Sequence, residues 1–373
     1  MPVIGTILAF LAVLVVLVLV HELGHFLAAK RAGITVQEFG IGFPPRVGSV
    51  VWRGTRYSLN WIPLGGFVKM LGEDGDVEAQ RMRERGLSEA AIDRAMEGAF
   101  NRKPIWVRLA VLLAGVLMNF LLAGVLFAFA VSMPIPEGRG PLTVTDVQPG
   151  SPAAAAPLQA GDVIVAADGQ TFEISRELTA YVRLHAGEEV ALSIQRADDT
   201  FDITVTPRTE DELAPGEGPV GFSYEPASYI EVPSEVDGPV QAVGRGFAEA
   251  ANLAYRIPGG LADAIGGMIG LNDNAGTAVG PIGIAEETGR VLEAPLVSQL
   301  IFMGLLSVNL AVLNVLPFPP LDGGRIAVVL IEGIRRRRLP AEREALIYLT
   351  GFMVLIALVI LISIQDVQRL IEG

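Results

Sequence analysis

The 373-residue sequence has no cysteine, only three histidines and little charge, with charged residues at 18% and aromatic residues at 7%. Without cysteine there is no disulfide, no thiol nucleophile and no thiolate ligand, and thiol usage carries no information on compartment. Any metal in this chain must be held by nitrogen and oxygen donors. A net charge of −13 does not suggest nucleic acid, and its distribution along the chain says more than its total. A basic stretch ahead of the first apolar run is also missing. The start therefore does not read as a cleaved signal peptide, and the run leads into histidines rather than a small-residue cleavage site.

What is present is apolar. Hydrophobic residues make up 51% of the chain and the mean hydropathy is +0.47, which points to a multi-pass membrane protein. Four runs are long enough to span a bilayer: residues 3–29, 105–133, 297–316 and 345–364. Four spans put both termini on one side. The connections set the orientation. Lys30, Arg31, Arg46, Arg53, Arg56, Lys69, Arg102 and Lys103 follow the first span, and Arg335 to Arg338 precede the fourth. Between the second and third spans there is no lysine, about eight arginines and about twenty-five acids. The basic loops are expected in the cytoplasm, and the acidic segment and both termini outside.

His21-Glu22-Leu23-Gly24-His25 lies at the cytoplasmic end of the first span. H-E-x-x-H on a helix sets two imidazoles at i and i+4, where both can ligate one zinc ion, and leaves the glutamate as general base. Ionisable groups in an apolar span cost roughly 2.5–3.5 kcal/mol each and mark function by default. A catalytic zinc takes three protein ligands. Asp322 is the candidate third: it follows Pro317-Phe318-Pro319-Pro320, where the third span breaks, and precedes a second helical stretch, residues 325–334. Taken alone, Asp322 serves equally well as a helix cap. Paired with H-E-x-x-H it reads as a ligand.

These motifs resemble the site-2 protease (M50) family of intramembrane zinc metalloproteases, in its RseP-like bacterial branch. His21-Glu22-x-x-His25 corresponds to the family's first motif and Asn314-x-x-Pro317-x-Pro319-x-Leu321-Asp322-Gly323 to its second. Gly115-x-x-x-Asn119 and Gly280-Pro281-Ile282-Gly283-Ile284 resemble two further elements. The resemblance covers nearly the whole chain in the expected order. One departure is visible: RseP carries two tandem PDZ domains, and here there is room for one.

The fold this implies is a multi-pass α-helical membrane protein with four transmembrane helices, a membrane-associated β-hairpin and an inserted α+β PDZ domain. The expected division is a first span with H-E-x-x-H (1–30), a cytoplasmic loop with hairpin and charged helix (31–103) and a second span (104–134). An extracytoplasmic PDZ domain (135–225) and an amphipathic membrane-surface segment (226–295) follow. A third span with the Leu-Asp-Gly motif (296–334) and a basic loop with the fourth span (335–373) complete it. The implied activity is that of a zinc metalloendopeptidase of the bacterial cytoplasmic (inner) membrane. Its Zn2+ would be held by His21, His25 and Asp322, with Glu22 as general base. Asn314 either binds substrate or makes an interhelical polar contact. Asn119 reads as an interhelical contact, with Gly115 permitting close packing.

Residues 50–62 are rich in β-branched and aromatic residues around a Gly turn and read as a hairpin, followed by residues 63–70. Gly65, Gly66 and Phe67 are the expected substrate-binding positions, on a strand edge that takes up unwound substrate. The charged stretch 72–102 reads as a cytoplasmic helix or linker with no chemistry. Residues 142–207 alternate as short strands around a helix at 173–184, and Gly150-Ser151-Pro152-Ala153 with Leu158-x-x-Gly161-Asp162 is similar to a bacterial PDZ domain. That module either binds protein tails or acts as a size gate. His185, behind its helix, is not expected to be a ligand. Residues 239–271 suit a helix on the outer membrane surface that either clamps substrate or packs as a linker.

The expected partners are the lipid bilayer, single-span membrane substrates such as anti-sigma factors or remnant signal peptides, and an upstream site-1 type protease. Nucleic acid is not among them. Two rival readings are a catalytically silent scaffold that binds tails through its PDZ domain, and an ordinary zinc peptidase working in water. The intact His21, Glu22, His25 and Asp322 oppose the first, and a motif continuous with a membrane span opposes the second.

Overall fold

The computed structural model describes residues 3–73, 77–197, 199–213, 218–234, 236–268, 279–337 and 340–372. These fall into two compact units, one of residues 1–131, 236–261 and 278–373 and the other of residues 132–235 and 262–277.

The first unit opens with α1 (Val3–Arg31), whose apolar length crosses a membrane. Two long strands follow, β1 (Val36–Trp52) and β2 (Thr55–Met70), joined at Arg53-Gly54. Both turn residues have positive φ, 47° and 77°, as a two-residue hairpin turn of the primed type requires. The hairpin is much larger than residues 50–62. Its second half pairs residues 46–52 with 55–60, while residues 36–41 have partners in both 56–59 and 66–70. Gly40, Gly42, Pro44, Pro45 and Gly48 interrupt the period-two pattern and hide the first strand from a sequence reading. Val50, Val51, Trp52 and Trp61 are exposed apolar residues of the hairpin.

Two short helices, α2 (Val77–Glu84) and α3 (Glu89–Ala95), fill the charged stretch and pack Ala79, Ile92 and Met96 together. Then comes α4 (Ile105–Ser132), the second apolar helix of spanning length.

The second unit is an antiparallel five-stranded sheet with short helices. In chain order its elements are β3 (Ile135–Val147), α5 (Pro152–Ala155), β4 (Val163–Ala167), α6 (Ser175–Leu184), β5 (Val190–Arg196), β6 (Asp199–Val205) and β7 (Phe222–Val232). The sheet order is β6-β5-β4-β3-β7. Ser151 accepts from Ala154 N and starts α5, which accounts for the Ser-Pro-Ala run. The core is Leu142, Val144, Ile164, Leu178, Leu192 and Ile194 with their neighbours. The boundary expected at residue 225 moves. Strand β7 pairs with β3 from Phe222–Val147 to Val232–Ile135, so the sheet runs on to Val232. Pro226 within β7 broke the strand pattern in the sequence.

Helix α7 (Pro239–Met268) follows, and its Ala250, Leu253 and Ile257 pack on Phe127 of α4. Residues 269–271 of the amphipathic stretch, and Arg338 of the basic run, lie outside the described residues. Helix α8 (Pro281–Val291) leads to α9 (Leu296–Val315), the third helix of spanning length. Asp366 accepts from the backbone of Gly280 and Gly283 and so caps α8. After the proline break, α10 (Asp322–Arg335) begins, and α11 (Ala341–Glu372) contains the fourth apolar stretch of spanning length.

Candidate metal centre

His21 and His25 sit one turn apart on α1, on the face packed against α4, and both are 5% exposed. Gly24 makes this approach possible, because a Cβ there would lie 2.3 Å from the carbonyl oxygen of Ala114. Gly115 keeps the space in front of the rings open. A Cβ at that position would lie 2.4 Å from His25 Nε2 and 2.8 Å from His21 Nε2.

Asp322 reaches the same point from the other end of the chain. Helix α9 stops at Val315, the prolines prevent its continuation, and Gly323 and Gly324 let the chain fold back tightly. A Cβ on Gly323 would lie 2.0 Å from the carbonyl oxygen of Leu316. The Asp322 side chain is not spent on capping: α10 has no side-chain cap, and Oδ2 lies 2.8 Å from His21 Nε2 and 3.0 Å from His25 Nε2. The two Nε2 atoms are 3.1 Å apart.

The fit to a metal can be tested on this triangle. Donors at about 2.0–2.2 Å from a tetrahedral zinc ion lie about 3.3 Å from one another. The three atoms come within a few tenths of an ångström of that spacing, all inside 4.8 Å of one another. The ring of His25 is oriented for it, since its Nδ1 lies 2.8 Å from the carbonyl oxygen of Val111. A carbonyl can only accept, so Nδ1 carries the proton and Nε2 offers its lone pair inward. Two nitrogens and one carboxylate oxygen make a donor set that zinc accepts.

Glu22 is half-buried beside this cluster and faces β2, where the position of a Gly66 Cβ is 3.7 Å from its Cγ. Gly65 has φ +108° and packs against Val18, and both glycines are buried. The Phe67 ring lies over Gly40 and stacks near Phe43. Asn314 is half-buried in the last turn of α9, and among the described residues its amide has no hydrogen-bond partner. His185 is in the second unit, with Nδ1 on the carbonyl of Tyr181, and takes no part.

Two groups around the centre were not singled out from sequence, the Val111 carbonyl and Ser307. Asn119 was, but as an interhelical contact, and its amide lies 3.4 Å from His21 Nδ1. The shared four-residue spacing of Gly115–Asn119 and His21–His25 was the available signal. Arg325 and Glu73 form an ion pair that ties the end of the hairpin to α10, three residues past Asp322. Glu73 also accepts from Met70 N. Its charge raises the Arg325 guanidinium above its already high value, so the cation persists at every working pH. These two residues are 252 apart in sequence, and nothing local announces the pair.

A cavity of about 690 Å³ lies in the same unit, lined among others by Leu113, Ala114 and Leu117 of α4, Pro258 of α7, and Val312 and Leu316 of α9. It is almost wholly apolar, and Ala114 is the residue on which Gly24 packs.

Zinc metalloprotease RasP of Geobacillus kaustophilus is 30% identical over 433 residues, covering 98% of each chain. Metalloprotease MmpA of Caulobacter vibrioides is 31% identical over 381 residues, covering 97% of this chain and 95% of its own. The regulator of sigma-W protease RasP of Bacillus subtilis is 28% identical over 434 residues, covering 98% and 99%. Among solved structures, the PDZ domain of the SdrC-like protein Lmo2051 of Listeria monocytogenes matches 23% of this chain and 87% of that domain, at 25% identity and a TM-score of 0.20. The model of Peptidase family M50 matches residues 9–358, which takes in both histidines, Glu22 and Asp322, and the chain belongs to that family.

Proposed function

We propose that the protein is a zinc endopeptidase that cuts single-span membrane proteins within or at the edge of their apolar segment. The observation that carries this reading is the convergence of His21, His25 and Asp322 on one point beside a helix of membrane-spanning length. His21, His25 and Asp322 would hold the zinc ion. Bound there, zinc supplies a Lewis acid for the scissile carbonyl and lowers the pKa of water toward about 7.

The protein's own groups do the rest. Glu22 accepts the proton of the attacking water and delivers it to the leaving amine. The Gly65-Gly66-Phe67 stretch, on the strand nearest Glu22, pairs main chain to main chain with an unwound substrate segment. The glycines bring that backbone close because no side chain stands between it and α1. The unengaged amide of Asn314 is available for a substrate carbonyl. The apolar cavity between α4, α7 and α9 takes apolar side chains next to the cut.

The four apolar helices span the bacterial cytoplasmic membrane, with the basic loops in the cytoplasm and the sheet unit and both termini outside. The sheet unit is a PDZ-type module, and its edge strand β7 is the surface on which a protein tail would be added. Relatives that regulate a sigma factor make anti-sigma factors the first substrates to try, after an upstream site-1 type cut.

Cleavage of a reconstituted single-span substrate, with the products mapped by mass spectrometry, tests the reading. A cut inside or bordering the apolar segment, abolished by chelator and restored by zinc, is the expected result. A cut only in soluble loops, or one indifferent to chelator, would overturn it.

A further inference from the structure

A histidine that binds metal through Nε2 carries its proton on Nδ1, and that N–H needs an acceptor to hold the ring in place. For His25 the acceptor is the carbonyl of Val111. For His21, the neighbour of Nδ1 is the side-chain amide of Asn119, whose Nδ2 lies 3.4 Å away. Asn119 is fully buried, at 0% exposure. Its Oδ1 has no hydrogen-bond partner among the described residues.

A buried acceptor without a partner requires a reason. A primary amide has nearly the same shape at its two ends, so a half-turn exchanges oxygen and nitrogen in the same space. With Nδ2 toward an Nδ1–H, two donors meet. After the half-turn Oδ1 accepts from Nδ1–H, and Nδ2 takes the place the oxygen had. An amide serving only as glue between helices would have its oxygen engaged by another helix. Here the helix contact is made by the backbone instead: the Ser307 hydroxyl of α9 donates to the Asn119 carbonyl at 2.8 Å. That bond fixes the turn of α4 from which the amide projects.

We propose that Asn119 is the positioning residue of the metal centre, its Oδ1 accepting from His21 Nδ1–H and holding that ring with Nε2 toward the ion. Gly115-x-x-x-Asn119 then acts as one device. Its first position is bare, so that the ligand nitrogens have room. Its second, one turn on, carries the acceptor behind the ring. This inference rests on the metal-centre reading above.

The test uses the full chain in detergent, with Asn119→Leu and Asn119→Asp compared with wild type for zinc affinity by competition against a chromophoric chelator. The visible spectrum of the cobalt-substituted protein serves as a second readout. Leucine removes the acceptor at similar volume, and zinc affinity should fall by about 10–100-fold. Aspartate accepts but cannot donate, and it should keep near wild-type affinity and an unchanged cobalt spectrum. If Asn119→Leu binds zinc as wild type does, the proposal fails. If Asn119→Asp loses zinc although the protein elutes as a folded species, the amide acts as a donor elsewhere, and the proposal also fails. Should the leucine variant not fold, the aspartate variant decides alone. Wild type that binds no zinc would instead overturn the metal-centre reading itself, so the two failures are distinguishable.

Discussion

The two units differ in the apolar side chains they leave exposed and in the polar ones they bury. In the sheet unit, Val144, Leu192 and Ile194 are inside, and among its described residues Asp162 is the buried charged side chain. In the helical unit, Leu8, Val16, Leu117, Phe129 and Ile360 are exposed, while His21, His25, Asn119, Ser307 and Asp366 are buried. The first pattern is that of a core formed in water. The second is the pattern of a medium as apolar as leucine, in which outward apolar residues gain nothing by clustering and each inward polar group must have a partner or a task. In such a unit the buried polar residues form a short catalogue of function. Those with partners, such as Asp366 on the start of α8, are structural. Those whose partners converge on one point form the site.

Perturbing the two units should therefore have effects of different size and kind. The largest effect is expected from Glu22→Gln, which leaves the ligands untouched. Cleavage should drop by about 10²–10⁴-fold with zinc content unchanged, as measured by product formation and metal analysis. Next is Gly115→Val, which puts side-chain atoms where the ligand nitrogens lie. Zinc affinity should fall by more than about tenfold, as for lost support of a ligand, while hydrogen exchange in the sheet unit stays as in wild type. Equal loss of protection in both units would mean that the variant unfolds the chain rather than the site.

A smaller effect is expected at the Glu73–Arg325 pair, where removal of either partner leaves a partly buried charge. Arg325→Ala should destabilise the helical unit by about 1–3 kcal/mol, between the values for exposed and buried pairs. Reversing both charges together should recover part of the loss. A double variant no better than the singles would assign the effect to packing.

The smallest effect belongs to the sheet unit and depends on pH. Asp162 accepts from Arg196 Nε at 2.6 Å and Nη2 at 2.8 Å, and from Gln159 N at 2.8 Å. The Arg196 hydrogen bonds come first in holding its carboxyl below the usual range, and outweigh the effect of burial. A carboxylate with a lowered folded-state pKa stabilises above its ordinary value of about 3.9, and that contribution fades as pH falls through the folded value. Asp162→Asn should thus increase hydrogen exchange in β4 and β5 at pH 7, and the gap to wild type should close below about pH 4. A gap independent of pH would contradict the assignment.

The comparison also explains what could be read from sequence. Apolar length made the four long helices legible, and four-residue spacing brought out His21 and His25, because both signals are local. Asp322 was legible as a candidate since the prolines before it break the helix. The first strand, from Val36, was not, because Gly40, Gly42, Pro44, Pro45 and Gly48 spoil its alternation and its partners lie up to 34 residues away, as with Val36 and Met70. Strand β7 was not read from the sequence, where Pro226 interrupts it, and the domain boundary at 225 falls inside it. Asn119 was visible as a residue but not in its direction: one amide on an apolar helix looks the same whether it faces a neighbouring helix or a histidine. The Glu73–Arg325 pair depends wholly on tertiary closure.

The most direct test of the central claim is the metal content of the purified wild type, Glu22→Gln and Asp322→Ala proteins, measured together. About one zinc ion per chain is expected in the first two and much less in Asp322→Ala, because Asp322 contributes a ligand and Glu22 does not. Equal zinc in all three would place the metal elsewhere, and no zinc in wild type would remove the basis for hydrolysis at this site.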